Sequence, residues 1–334
     1  MPTPHSKLSS GFTLVEMAMV LLIIGLILGS VLSVSGSMRE SQNRQLVRTQ
    51  LDALDTALAN FVAQNKRLPC PANGTLASNT LNAGIETLSA GPPPAAAAPK
   101  GTCGPANQIN GVIPWVTLGL SESDATDPWN GRFTYRVYPP LAMQAQSVGI
   151  SPLTPVTPPA GLMDMTACDP ASTVSGSPVP ITGLCGGFNA ATGCTQCKPN
   201  TAPCNTANLA NCVSPTNYLA NKGLDVWNGV GAWATRQNNP AAGTGAAYVI
   251  ISHGPSGRGA YNSAGNLQPG SAVAGSNETP NLNNQALALP SALGTTYRDS
   301  ELNDVASAAH FDDYLSHPTI MSVLNKANLG PRAH

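Results

Sequence analysis

Residues 1–11, MPTPHSKLSSG, are polar, carry Lys7 and contain no acid, whereas from Phe12 to about Val34 the chain is apolar apart from Thr13, Glu16 and a few Gly and Ser residues. Roughly 20 apolar residues cover the hydrocarbon core of a bilayer as a helix, so this stretch is expected to span a membrane. Further on, Val47, Leu51, Leu54, Leu58 and Phe61 recur at alternating spacings of four and three. That spacing makes one apolar stripe of an amphipathic helix, with Arg48, Gln50, Asp52 and Asp55 assigned to its other faces. Pro69 and Pro71 are expected to stop it. A helix from Phe12 to about Gln64 would be roughly 80 Å long at 1.5 Å per residue.

The pattern then changes period. A Pro/Gly/Ala-rich loop runs from Leu68 to about Ile109, and the Gly111–Leu120 run follows. Asn130-Gly131 reads as a turn entering an alternating strand through Val137. The β-branched run Ala246–Ile251 reads as a buried strand, and Gly254, Gly257 and Gly259 as a tight turn after it. That run lacks the Gly-Lys-Ser/Thr ending of a phosphate loop. Residues 138–221 are rich in Pro, Thr, Gly and Ala and read as an insertion. They are equally consistent with an exposed binding surface and with a stabilising loop elaboration.

Composition narrows the function classes. Only 10% of residues are charged, the net charge is -1, and no basic cluster appears. No nucleic-acid partner is expected, because neutralising phosphates needs a concentrated stripe of Lys and Arg. Gly (32) and Pro (30) reach almost a fifth of the chain while aromatics are 5%, which fits an exported, loop-rich protein. The eight cysteines are Cys70, Cys103, Cys168, Cys185, Cys194, Cys197, Cys204 and Cys212. An even count beyond an export-type segment reads as a disulfide framework. Cys194 and Cys197 form a Cys-x-x-Cys, but Cys204 and Cys212 are too far apart for the second half of a zinc ribbon. Cys70 and Cys103 stand outside the cluster of six, so they are expected to pair; the six allow 15 connectivities.

No enzyme is expected. Ser252 and His253 are adjacent, and neighbouring residues on a strand point to opposite faces, so they do not readily share a proton. A Gly-x-Ser-x-Gly elbow and a His-Glu-x-x-His pair are both missing from the sequence. The acids Glu278, Asp299, Glu301, Asp304, Asp312 and Asp313, with Asn303, show no EF-hand spacing and read as solvated surface groups.

The order of features at the start is more specific. A small residue, Gly11, precedes the apolar run rather than following it, so a cut there would leave the whole helix on the mature chain. Glu16 is an acid inside that run, where a carboxylate is a functional candidate by default. Gly11-Phe12-Thr13-Leu14-Val15-Glu16, followed by the apolar run Met17–Leu28, resembles the leader of type IV pilins and type II secretion pseudopilins. The resemblance implies cleavage after Gly11 by prepilin peptidase, methylation of Phe12, and a role for Glu16 in assembly with other pilin or pseudopilin subunits on an inner-membrane assembly platform. Ser33 stands where many major pilins carry a kinking Pro, which leans the resemblance toward a minor pilin or pseudopilin. The Asp127-Pro128-Trp129 turn is similar to one in major pseudopilins, and some pseudopilins bind calcium in a late acidic loop. The cofactor expectation is therefore none, or calcium at Asp299, Glu301, Asn303 and Asp304.

These readings give an α+β fold: a long N-terminal helix, transmembrane in its first half, packed on an antiparallel sheet head with a disulfide-rich insertion. The expected parts are a leader (1–11), a transmembrane half-helix (12–34), an amphipathic half (35–66) and a head (67–334). The expected location is the inner membrane, single-pass with the C-terminal domain in the periplasm, then a filament or the cell surface. Arg39, Arg44 and Arg48 outnumber Lys7 and point the other way by the positive-inside rule, but the cysteines favour an external C-terminal part. The expected function is a minor pilin or pseudopilin subunit of a type IV pilus or type II secretion filament. The alternative is a surface-displayed pilin adhesin whose cysteine-rich insert binds a target.

Overall fold

In a computed structural model, α1 runs from Leu14 to Asn65, 52 residues. The structure describes residues 13–88, 103, 110–138, 163, 219, 222–229, 235–268, 277–282, 296–303, 305 and 310–330, with backbone alone for 27–37 and 296. The chain divides into two units, Met1–Leu46 and Val47–His334.

The transmembrane expectation does not hold. Among the described residues no helix is long and apolar enough to cross a membrane. Among the described residues the transmembrane part of the expected fold is therefore not supported, nor is the single-pass inner-membrane location.

In the second unit, Val47, Leu51, Leu54, Leu58 and Val62 are buried. The stripe ends on Val62 rather than Phe61, whose ring instead lies 5.2 Å beneath the Arg67 guanidinium. Asp55 also departs from expectation: it faces the sheet, where Tyr248 and Ser316 donate hydrogen bonds to it. The helix stops before the prolines. Lys66 adopts φ 57° and donates its N–H to the Val62 carbonyl at 2.8 Å, a left-handed C-terminal cap.

Five strands, β1 (Ala72–Asn73), β2 (Gly111–Val112), β3 (Thr134–Val137), β6 (Tyr248–Ser252) and β8 (Tyr314–Ser316), form one sheet in the order β1-β2-β3-β6-β8. Every pair in it is antiparallel, with Tyr135 opposite Ile250 and Ile251 opposite Leu315. A second sheet joins β4 (Asp225–Asn228), β5 (Thr235–Asn238) and β7 (Thr296–Arg298) in the order β5-β4-β7. Its β4–β7 pair is parallel, so the head is not purely antiparallel. β3 and β6 are buried at every position rather than on alternate ones. Both faces of the central strands are covered, so the period-2 pattern does not mark a solvated face. The short helix α2 (Ile320–Lys326) is capped by Thr319, whose hydroxyl accepts from the Ser322 N–H at 3.1 Å.

The Cys70–Cys103 disulfide is present. It is anchored beside a bidentate pair in which Arg67 donates to Glu86 at 2.7 and 2.8 Å, while the Cys70 N–H donates to the same carboxylate at 2.9 Å. The other six cysteines lie outside the described residues. At the expected Asn130-Gly131 turn, Asn130 has φ 67° and Asp127 Oδ1 accepts from the N–H groups of Trp129 and Gly131.

Candidate functional sites

Two places gather the chemistry: the start of α1 and a buried polar cluster at the end of β6. At the start of α1, Thr13 and Glu16 form a capping box. The Glu16 N–H donates to Thr13 Oγ1 at 3.3 Å, and Glu16 Oε2 accepts from both the Thr13 N–H and its hydroxyl at 2.9 Å. Glu16 thus has a local role in closing its own helix end. Behind it the helix is apolar on all sides, and Leu14 (86% exposed), Leu21 (65%), Leu22 (68%) and Leu26 (70%) are open to solvent. A helix that is hydrophobic all round requires a cover. Gly11 and Phe12 lie outside the described residues.

The second place begins where β6 ends. Ser252 and His253 turn to opposite sides, as strand geometry demands. Ser252 Oγ donates to Asp127 Oδ2 at 2.7 Å, while His253 Nε2 shares a hydrogen bond with Thr134 Oγ1 at 2.7 Å and His253 Nδ1 lies 3.5 Å from Asp313 Oδ1. Asp313 also accepts from Asn281 Nδ2 at 2.7 Å. The acid–imidazole–hydroxyl order of Asp313, His253 and Thr134 is sealed, since His253 and Thr134 are both 0% exposed.

Beside this chain stand Glu278, His310 and Asp312. The Asp312 N–H donates to Glu278 Oε1 at 2.8 Å, and Asp312 itself accepts from the Ser256 N–H at 2.7 Å and the Ser256 hydroxyl at 3.0 Å. His310 Nε2 lies 3.5 Å from Glu278 Oε1 and 3.8 Å from Asp312 Oδ2. Arg258 Nη1 stands 4.0 Å from Glu278 Oε2. Gly254, at φ 55°, lets the turn approach: a Cβ there would collide with the Asp312 carbonyl oxygen. Burial first, then the hydrogen bond and the charges of the adjacent aspartates, push the Glu278 carboxyl up to about 8. Burial likewise raises Asp313 and Asp127.

Glu278, Asp312 and Asp313 are thus buried, not the solvated surface groups expected. A usable signal was present in the His310-Phe311-Asp312-Asp313 run. In an extended segment His310 and Asp312 share one side and Phe311 and Asp313 the other, and a Phe needing burial draws its neighbours inward. Glu278, in a Gly/Ser/Asn-rich stretch, carried no such signal.

The residues expected to hold calcium are placed differently. Asp299 Oδ2 pairs with His317 Nε2 at 3.1 Å, and Glu301 is exposed. Asn303 Oδ1 accepts from the Val305 N–H, and its backbone pairs with Phe311. Asp304 lies outside the described residues. Asp299 and Glu301 line a cleft of about 410 Å³ shared with Arg48, Leu51 and Asp313. Among the described residues, the carboxylates and imidazoles that converge to within 4.8 Å of one another are those of Glu278, His310 and Asp312. No protein-family model, no curated protein and no solved structure matches the chain.

Proposed function

We propose that the chain is a minor pilin or pseudopilin subunit of a type IV pilus or type II secretion filament, cut after Gly11 by prepilin peptidase and assembled through its N-terminal helix. The observation that supports this reading is the exposed apolar stretch from Leu14 to Leu26, headed by an acid in the first helical turn. Copies of the same helix, bundled together, would cover each other's apolar surface without a separate binding partner. In such a bundle Glu16 meets the new amine of Phe12 on an axially shifted neighbour, and the two charges cancel where water is excluded. The Thr13–Glu16 capping box is compatible with this, because a carboxylate accepts several hydrogen bonds at once.

Mass spectrometry of the mature N-terminus tests the reading. An N-methylated chain beginning at Phe12 supports it. A chain that retains Met1 in cells expressing a prepilin peptidase overturns it.

A further inference from the structure

We propose that Glu278, His310 and Asp312 form a binding site for one divalent cation of the zinc class. One imidazole nitrogen and two carboxylates make a mixed nitrogen–oxygen donor set. That set suits zinc and its first-row neighbours, whereas calcium seeks six to eight oxygens. The spacing also fits. Donors about 2.1 Å from a tetrahedral ion stand about 3.4 Å from one another, and His310 Nε2 lies 3.5 Å from Glu278 Oε1 and 3.8 Å from Asp312 Oδ2.

A second, independent observation is the state of Glu278. Its side chain is 1% exposed, and its Oε2 has no hydrogen-bond partner. A buried carboxylate oxygen without a hydrogen bond is costly; the Arg258 guanidinium stands 4.0 Å away, and a cation seated between Glu278, His310 and Asp312 would compensate the carboxylate at closer range. The ligands are also held in advance. Ser256 grips both oxygens of Asp312 through its N–H and hydroxyl, and the Asp312 N–H orients Glu278. His310 is 20% exposed, so the site opens to solvent on the imidazole side, where water can complete the shell.

The test uses the full chain, with its disulfides oxidised, stripped by a chelator and titrated with zinc or calcium chloride. Expected are one zinc bound per chain, a raised melting temperature with zinc, and none of this with calcium at equal concentration. His310→Ala weakens zinc binding at least about 100-fold while leaving circular dichroism unchanged. Glu278→Gln removes the zinc-dependent shift yet does not lower the metal-free melting temperature, which a purely structural role for the carboxylate would not produce. Zinc bound equally by wild type and His310→Ala, which would place the ion on the cysteines, overturns the proposal. So does the absence of a zinc-dependent shift in the wild type. None of these outcomes depends on filament assembly.

Discussion

The Tyr248 hydroxyl donates a 2.8 Å hydrogen bond to Asp55 Oδ1, tying the start of β6 to α1. The Ser316 hydroxyl donates to Oδ2 of the same carboxylate at 2.6 Å, so one acid links α1 to two neighbouring strands. Burial pushes Asp55 above its ordinary value of 3.8, and the two hydroxyls pull the other way. Asp55→Ala leaves both donors without an acceptor and is expected to cost about 1–3 kcal/mol. A double-mutant cycle of Asp55→Ala with Tyr248→Phe, read by urea unfolding, is expected to show non-additivity. Strict additivity would mean that the two groups do not depend on each other.

The buried stripe makes a simpler prediction. Leu58 is 0% exposed within the core, and Leu58→Ala is expected to destabilise the protein by about 2–5 kcal/mol through lost transfer energy and a residual cavity. Phe61→Ala, at a half-buried position, is expected to cost clearly less. Equal losses at the two positions would place the stripe on Phe61 after all.

Reduction of the Cys70–Cys103 bridge releases a loop across a sequence separation of 33 residues. The double variant Cys70→Ala/Cys103→Ala is expected to lose about 2–4 kcal/mol, mostly by freeing the unfolded chain. Urea midpoints of the two proteins under oxidising conditions check this.

Burial lowers the Lys222 ammonium from 10.5 to about 8. Between those values the unfolded chain binds the proton more tightly than the folded one, so this group adds stability as pH rises from 8 toward 10.5. Below 8 the folded state carries the full cost of a partly desolvated charge. Relative to Lys222→Met, the wild type is therefore expected to gain stability between pH 8 and pH 10. A difference independent of pH across that window would remove the effect.

At the helix start, the amide of Glu16→Gln can still accept from Thr13, so the cap survives while the charge is lost. Unfolding of the head is expected to be unchanged and filament incorporation to fall. Normal incorporation of Glu16→Gln would reduce Glu16 to a helix cap.

The helix, its stripe and its strand-turn neighbours were legible because each depends on residues a few positions apart. Val47, Leu51, Leu54 and Leu58 meet on one face by helical period alone, and Asp127 caps the turn at Asn130 from three residues away. The disulfide followed from Cys70 and Cys103 standing apart from the other cysteines. The candidate metal site was not legible, because its acids resemble any surface acids until the chain brings them together. Nor did the apolar run settle a membrane crossing, since among the described residues no helix is long and apolar enough to make one.

By itself the sequence determined that a helix passes through Val47, Leu51, Leu54 and Leu58, that these four turn inward, and that Asn130-Gly131 makes a turn. Those outcomes follow from periodicity and local hydrogen bonding. Tertiary structure alone decided which polar groups lose water. Asp55 meets Tyr248 across 193 positions, and Glu278 meets Asp312 across 34. Desolvation, which sets both their ionisation and their capacity to hold a cation, is a property of what surrounds a side chain and not of its neighbours in the chain.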